Sequence, residues 1–208
     1  ITVVVIMQVL AFSEGQKRTT TTGSDAQING NLALFTIERT ARNAGWGMTG
    51  TLSALGCPIH AKYGANTMIT FTLAAVTITD GTSGAPDTLR FLSSTKFGGA
   101  MPTRISVDHP QQAANFFVDS DLGIEEGDLM VAVPATDMSK WCTLIQVTND
   151  PSPGGGNNQG GGQGQNKVLH VSGQSEWNQP GGQNIFPPPD GYVAGDYLVN
   201  LGAMNDIS

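Results

Sequence analysis

The sequence predicts an α+β fold, a long N-terminal helix packed on an antiparallel β-sheet. Three observations lead there. The chain opens on an apolar run, ITVVVIMQVLAF (Ile1 to Phe12), that passes into helical spacing without a turn signal. After Gly47 the pattern changes to short runs rich in β-branched and aromatic residues, separated by Gly, Pro, Asp and Asn. The composition, 39% hydrophobic and 13% charged with 27 Gly and 11 Pro, resembles that of a β-rich extracytoplasmic protein more than that of a helical enzyme. With 208 residues the chain can bury one sizeable core, and nothing requires more than one domain plus an appendage. Ten basic residues against 17 acidic ones give a net charge of -7, so no nucleic-acid partner is expected, because that affinity rests on Lys and Arg displacing counterions.

The opening run is too short to span a bilayer alone: twelve helical residues rise about 18 Å against an apolar thickness of ~30 Å. It is no signal peptide either, since no basic stretch precedes Ile1 and SEGQKR follows the run. Downstream, Ala26, Gly30, Leu34, Ile37, Ala41 and Ala44 recur at intervals of three or four. One helix is therefore expected from near Ile1 to about Ala44, softened at Gly15 and around Gly23 and ended by Gly45 and Gly47. The opening reads as the tail of a longer hydrophobic helix.

Strands follow in order. Met68 to Gly81 (MITFTLAAVTITDG) ends at a turn cluster, DGTSGAPD, so a hairpin or longer turn is expected there. Further candidates are Thr88 to Ser94, Thr103 to His109, Asn115 to Asp119, Asp128 to Ala135, Lys140 to Asn149, Lys167 to Gly173 and Tyr197 to Gly202. Their shortness and adjacency predict antiparallel pairing. Between Lys140 to Asn149 and Lys167 to Gly173 lies DPSPGGGNNQGGGQGQN, residues 150–166, read as a mobile surface loop in a β-meander because it has almost no side chain to bury. It lacks the Lys-Ser/Thr of a phosphate-binding loop.

In sequence, AQINGNLALFTIERTARNAGWGMTG, VTITDGTSGAPDTLRF, GIEEGDLMVAVPATDMSKWCTLIQVT and GYVAGDYLVNLG together resemble the PilW-like minor pilins of type IV pilus systems. The helix segment is shared loosely with minor pseudopilins of type II secretion; the later segments are more specific. Members of the family begin with a basic leader, a cleavage site and a glutamate, none of which precedes Ile1, so the numbered chain is expected to start partway along the helix. Members also usually continue beyond the LG strand. The resemblance implies a pilin-like fold: residues 1–47 as the pilin helix, with 1–12 the end of an anchor or filament-core segment, and 48–208 as a β-rich body.

The same resemblance implies a structural role, helping to initiate or cap the pilus with other minor pilins and the major pilin as partners. It also implies attachment to the inner membrane through the N-terminal helix before assembly, with a periplasmic domain that later reaches the pilus and cell surface. The alternatives are a type II secretion minor pseudopilin and a membrane-anchored binding module or adhesin. On the helix, Leu34, Ile37 and Ala41 are expected to face the protein's own sheet, and Ile28, Leu32 and Phe35 to form an assembly face.

Cys57 and Cys142 make an even pair, and outside the cytoplasm a disulfide between them is expected; the alternative is two separate buried thiols. A bridge over so long a loop stabilises by about 4 to 5 kcal/mol through lost chain entropy. His60, His109 and His170 are scattered and no Cys-x-x-Cys pair exists, so neither a metal nor a cofactor is expected. Asp119 to Asp128 holds five carboxylates that do not match Ca²⁺-loop spacing and read as a solvated turn. Without a Gly-x-Ser-x-Gly elbow or His-Glu-x-x-His helix, enzymatic activity is not expected. Trp46, Trp177 and Phe186, near Gly and Pro, are candidates for a ligand platform, although tryptophans more often act as partly buried anchors.

Overall fold

The computed structural model describes residues 2–51, 53–64, 67–96, 101–135, 137–149, 166–178 and 182–203. Its class is α+β: a long N-terminal helix and a β-rich body built on a mixed sheet, consistent with a generic pilin-like architecture. The chain divides into two compact units, Ile1–Asn43 and Ala44–Ser208. Residues 150–165, nearly all of the Gly-rich loop, lie outside the described residues.

Helix α1 (Thr2–Asn43) runs for 42 residues without a break at Gly15 or Gly23. Its threonines explain how a run such as TTTT stays helical. Thr19 and Thr20 donate to the carbonyls of Gly15 and Gln16 at 3.0 and 2.9 Å, and Thr36 and Thr40 do the same to Leu32 and Thr36. Each hydroxyl is satisfied one turn back along its own helix. Glu38 pairs with Arg42 at 2.6 Å, which also sets a cation in the last turn where the helix dipole favours one. Beyond the helix end, Gly45 and Gly47 take φ of 84° and 80°, the left-handed conformation that ends a helix cheaply only at glycine.

The anchoring expectation is corrected here. Among the described residues no helix is long and apolar enough to cross a membrane. The apolar run stops at Phe12, and Glu14, Lys17 and Arg18 follow within the next two turns, so any window wide enough to span includes charge. The inner-membrane partner, the periplasmic placement and the localisation that rested on this helix as an anchor are overturned with it.

The main sheet has the order β2-β1-β8-β7-β10-β5, from Thr67–Thr72, Pro58–Tyr63, Cys142–Gln146, Leu129–Val133, Tyr197–Gly202 and Thr103–Arg104. It is mixed, not purely antiparallel: β1 and β8 run parallel, with Ile59 opposite Cys142 and His60 opposite Thr143. The sequence reading missed β1, which starts on a proline and spans only PIHAKY, and the parallel pair was lost with it. The stretch from Met68 to Gly81 breaks into β2 and β3 (Val76–Thr79), because Leu73 turns into the core and its amide donates to Cys57 O at 2.9 Å. Strand β3 pairs with β4 (Thr88–Phe91) as an antiparallel hairpin across the DGTSGAPD turn, where Gly81 N donates to the Asp87 carboxylate. Strand β9 (Asn166–Leu169) pairs with β6 (Asn115–Val118) in a separate ribbon, so the β-meander expectation is also corrected.

The centre of the sheet is buried on both faces. Along β7 all five residues are buried, and they alternate: Met130 and Ala132 join a core with Phe116, Val168, Phe186 and Tyr192, while Leu129, Val131 and Val133 join one with Met48, Ile59, Leu73 and Leu144. A strand covered on both sides reads as continuous apolar sequence, as LMVAV does.

Candidate assembly surface

On α1, Ile28, Leu32 and Phe35 fall at i, i+4 and i+7, one stripe of the helix. All three are exposed, Phe35 at 60%. The second stripe, expected to be buried, is exposed as well: Leu34 at 66% and Ile37 at 40%, with Ala41 likewise exposed. That expectation fails because residues 28–37 carry apolar side chains around the helix, so periodicity alone could not single out a buried side. The first turns add Val3, Val4, Val5, Ile6, Met7, Val9, Leu10 and Phe12, again all exposed. Glycines 15, 23 and 30 punctuate the helix, and a Cβ placed on any of them would meet nothing within 4 Å.

The β-rich unit is pinned by a disulfide between Cys57 and Cys142, with Cα atoms 6.0 Å apart and a sequence separation of 85. Cys57 immediately precedes β1 and Cys142 opens β8, so the bond closes the end of the parallel pair. This pair is distant in sequence, and the crosslink removes much of its loop-closure cost from folding.

The other singled-out residues separate. Trp46 is exposed; Trp177 is half-buried with Tyr63 at 4.9 Å; Phe186 is buried beside His109 and His170 at 4.9 and 5.5 Å. The acidic stretch is not simply solvated. Asp128 is buried, accepts from Glu125 N and Asn200 Nδ2 at 2.9 Å each, and meets Lys96 Nζ at 3.0 Å. Burial alone would lower the Lys96 pKa, but hydrogen bonds to Glu125 and Asp128 outweigh it and raise it above the ordinary lysine value. Among the described residues no group of three or more His, Cys, Asp or Glu is arranged to hold a metal ion.

Two histidines that looked unrelated meet in the core. His109 and His170, 61 residues apart, place their Nε2 atoms 2.9 Å from each other, with Phe116 stacked on His109 at 3.7 Å. His109 Nδ1 is buried with no partner among the described residues. Assigned from this network, the shared proton sits on His109, since the other choice would strand a buried N–H at Nδ1. Burial pushes His109 down to about 4, and burial together with the neighbouring ring pushes His170 to about 3. Both are neutral at physiological pH. In sequence the two shared no signal beyond each lying in a candidate strand, Thr103 to His109 and Lys167 to Gly173.

Compared with protein-family models, with curated proteins and with solved structures, the chain gives no match. The function therefore has to be argued from the helix and the body themselves.

Proposed function

We propose that the chain is a PilW-like minor pilin, a structural subunit that helps to initiate or cap a type IV pilus in a complex with other minor pilins. One observation carries the reading: a 42-residue helix whose large apolar side chains are all exposed. An apolar surface of that extent is costly in water and marks a site of association. A second helix fits it best, because apolar residues at i, i+4 and i+7 form the ridges that interdigitate between helices. The polar middle of α1 does not oppose this, since its threonine hydroxyls are already bonded to the helix and carry little unmet demand into an interface. The β-rich unit, crosslinked and with its own two cores, would be the body carried by that helix. Its role in this reading is structural rather than enzymatic.

The assembly face proposed is Ile28, Leu32 and Phe35. Phe35→Asp should leave melting and circular dichroism unchanged, while lowering capture of companion minor pilins and the number of pili in a complemented deletion strain. Normal piliation and normal capture by the folded Phe35→Asp protein would remove that face from assembly. A deletion strain with unaltered pili would remove the minor-pilin reading itself.

A further inference from the structure

The β-rich unit holds a small cavity of about 200 Å³, lined by Trp177, Phe186, His170, Gln111, Gln112 and Ser172 among others. Among the described residues no Asp, Glu, Lys or Arg lines it, in a chain of net charge -7. The neighbouring depression, which shares Gln111 and Gln112, is by contrast flanked by Asp108 and Asp190. The two hollows are chemically distinct.

The walls of the uncharged cavity are built rather than incidental. Ile185 O accepts hydrogen bonds from Trp141 Nε1 at 2.7 Å and from Thr143 Oγ1 at 2.8 Å, and Gln111 Nε2 donates to Phe186 O at 3.0 Å. Asn178, also in the lining, grips the backbone of Gln146, donating to its carbonyl at 2.6 Å and accepting from its amide at 3.0 Å. Thus the segments carrying Phe186 and Trp177 are both tied to β8, the strand fixed at its start by the disulfide. Such bonding holds the cavity open in one shape before any ligand arrives, which lowers the ordering cost of binding.

The side chains left over define the ligand. Gln112 and Ser172 are exposed, and among the described residues neither side chain has a hydrogen-bond partner. An amide and a hydroxyl both donate and accept, so they suit a group that does both, such as a sugar hydroxyl, and not an anion or a cation. Half-buried Trp177 supplies flat apolar surface of the kind that packs on the C–H face of a pyranose ring, with the buried Phe186 in the lining beside it. The volume is below the usual range of about 300 to 1,000 Å³ for small-molecule sites, room for one ring and not for an oligomer. We infer that this cavity is a binding site for a single uncharged sugar residue, free or at the end of a glycan. It stands independently of the helix and of assembly.

Saturation-transfer NMR on the full chain tests this with a panel of neutral hexoses and N-acetylhexosamines, and with glucuronic and sialic acids as charged controls. At least one neutral sugar should receive transfer at its ring C–H protons, with weak, millimolar affinity, and the acids should not. Trp177→Ala should weaken binding at least tenfold. Since Trp177 also packs on Tyr63, the Gln112→Ala/Ser172→Ala double variant, confined to exposed positions, serves as a second reading and should weaken it about fivefold with unchanged melting. No transfer to any neutral sugar, transfer preferring the acids, or binding undiminished in the double variant would each overturn the inference. Binding of a short uncharged peptide in place of sugars would assign the cavity to a different ligand and also overturn it.

Discussion

The helix and the β-rich unit solve the problem of stability in opposite ways. From Val3 to Asn43 every helix side chain is exposed, and the bonds that hold it are local: backbone ladders, threonines reaching back one turn, and one ion pair four residues apart. In the β-rich unit the decisive contacts are remote in sequence, with Cys57 bonded to Cys142, His109 to His170, and Tyr192 Oη donating to Thr143 Oγ1 at 2.9 Å. A helix draws most of its stability in water from burying one face. The β-rich unit thus buries a core of its own, whereas the helix leaves its apolar side chains exposed, and substitutions should sort accordingly.

The largest expected effect is on the crosslink. Replacing Cys57 and Cys142 together with Ser should cost the β-rich unit about 4 to 5 kcal/mol and lower its melting by roughly 10 °C or more, while helical ellipticity below the transition is kept. Unchanged melting would mean that the parallel β1–β8 pair needs no staple.

Next comes acid. Both core histidines have folded pKa values, about 4 and about 3, below the ordinary 6.5, so the unfolded chain binds protons that the native state refuses. Stability is therefore full above pH 6.5 and declines as pH falls toward 4, by roughly 3 kcal/mol or more. Urea titrations between pH 7 and 5, where most carboxylates stay ionised, should show the slope, and a His109→Phe/His170→Leu variant should flatten it. A slope that survives the double replacement would place its origin elsewhere.

Smaller effects concern the helix. Gly30→Ala should stabilise α1 by about 1 kcal/mol, seen as raised helical ellipticity on heating, because alanine is the better helix former and the added Cβ meets nothing. If the same variant also captures companion pilins less well, a partner helix approaches closely at that position. The smallest effect is expected of Leu34→Asp: at an exposed site it should change stability by no more than ~0.5 kcal/mol. A collapse of folding in Leu34→Asp would show that Leu34 is not an exposed side chain.

How much of this was legible depends on the range of the interactions involved. Local rules located α1, its glycine terminator and the core strands β7 and β10, because helical spacing, left-handed glycines and continuous apolar runs are encoded within a few residues. The cysteine pair was legible by count. Strand β1 was not, since PIHAKY has the alternation of a half-buried strand only when β2 and β8 flank it, and the parallel pairing it makes joins segments some eighty residues apart. Likewise Trp177 and Phe186 were singled out as a surface platform with Trp46, whereas folding sets the first two around one cavity and leaves Trp46 away from it. The amino-acid sequence by itself determined the elements that satisfy their hydrogen bonds or bury their side chains within a short stretch of chain. Only the tertiary structure decided that Asp128 is buried against Lys96 and that two histidines share a proton, because each depends on the low-dielectric surroundings supplied by residues distant in sequence.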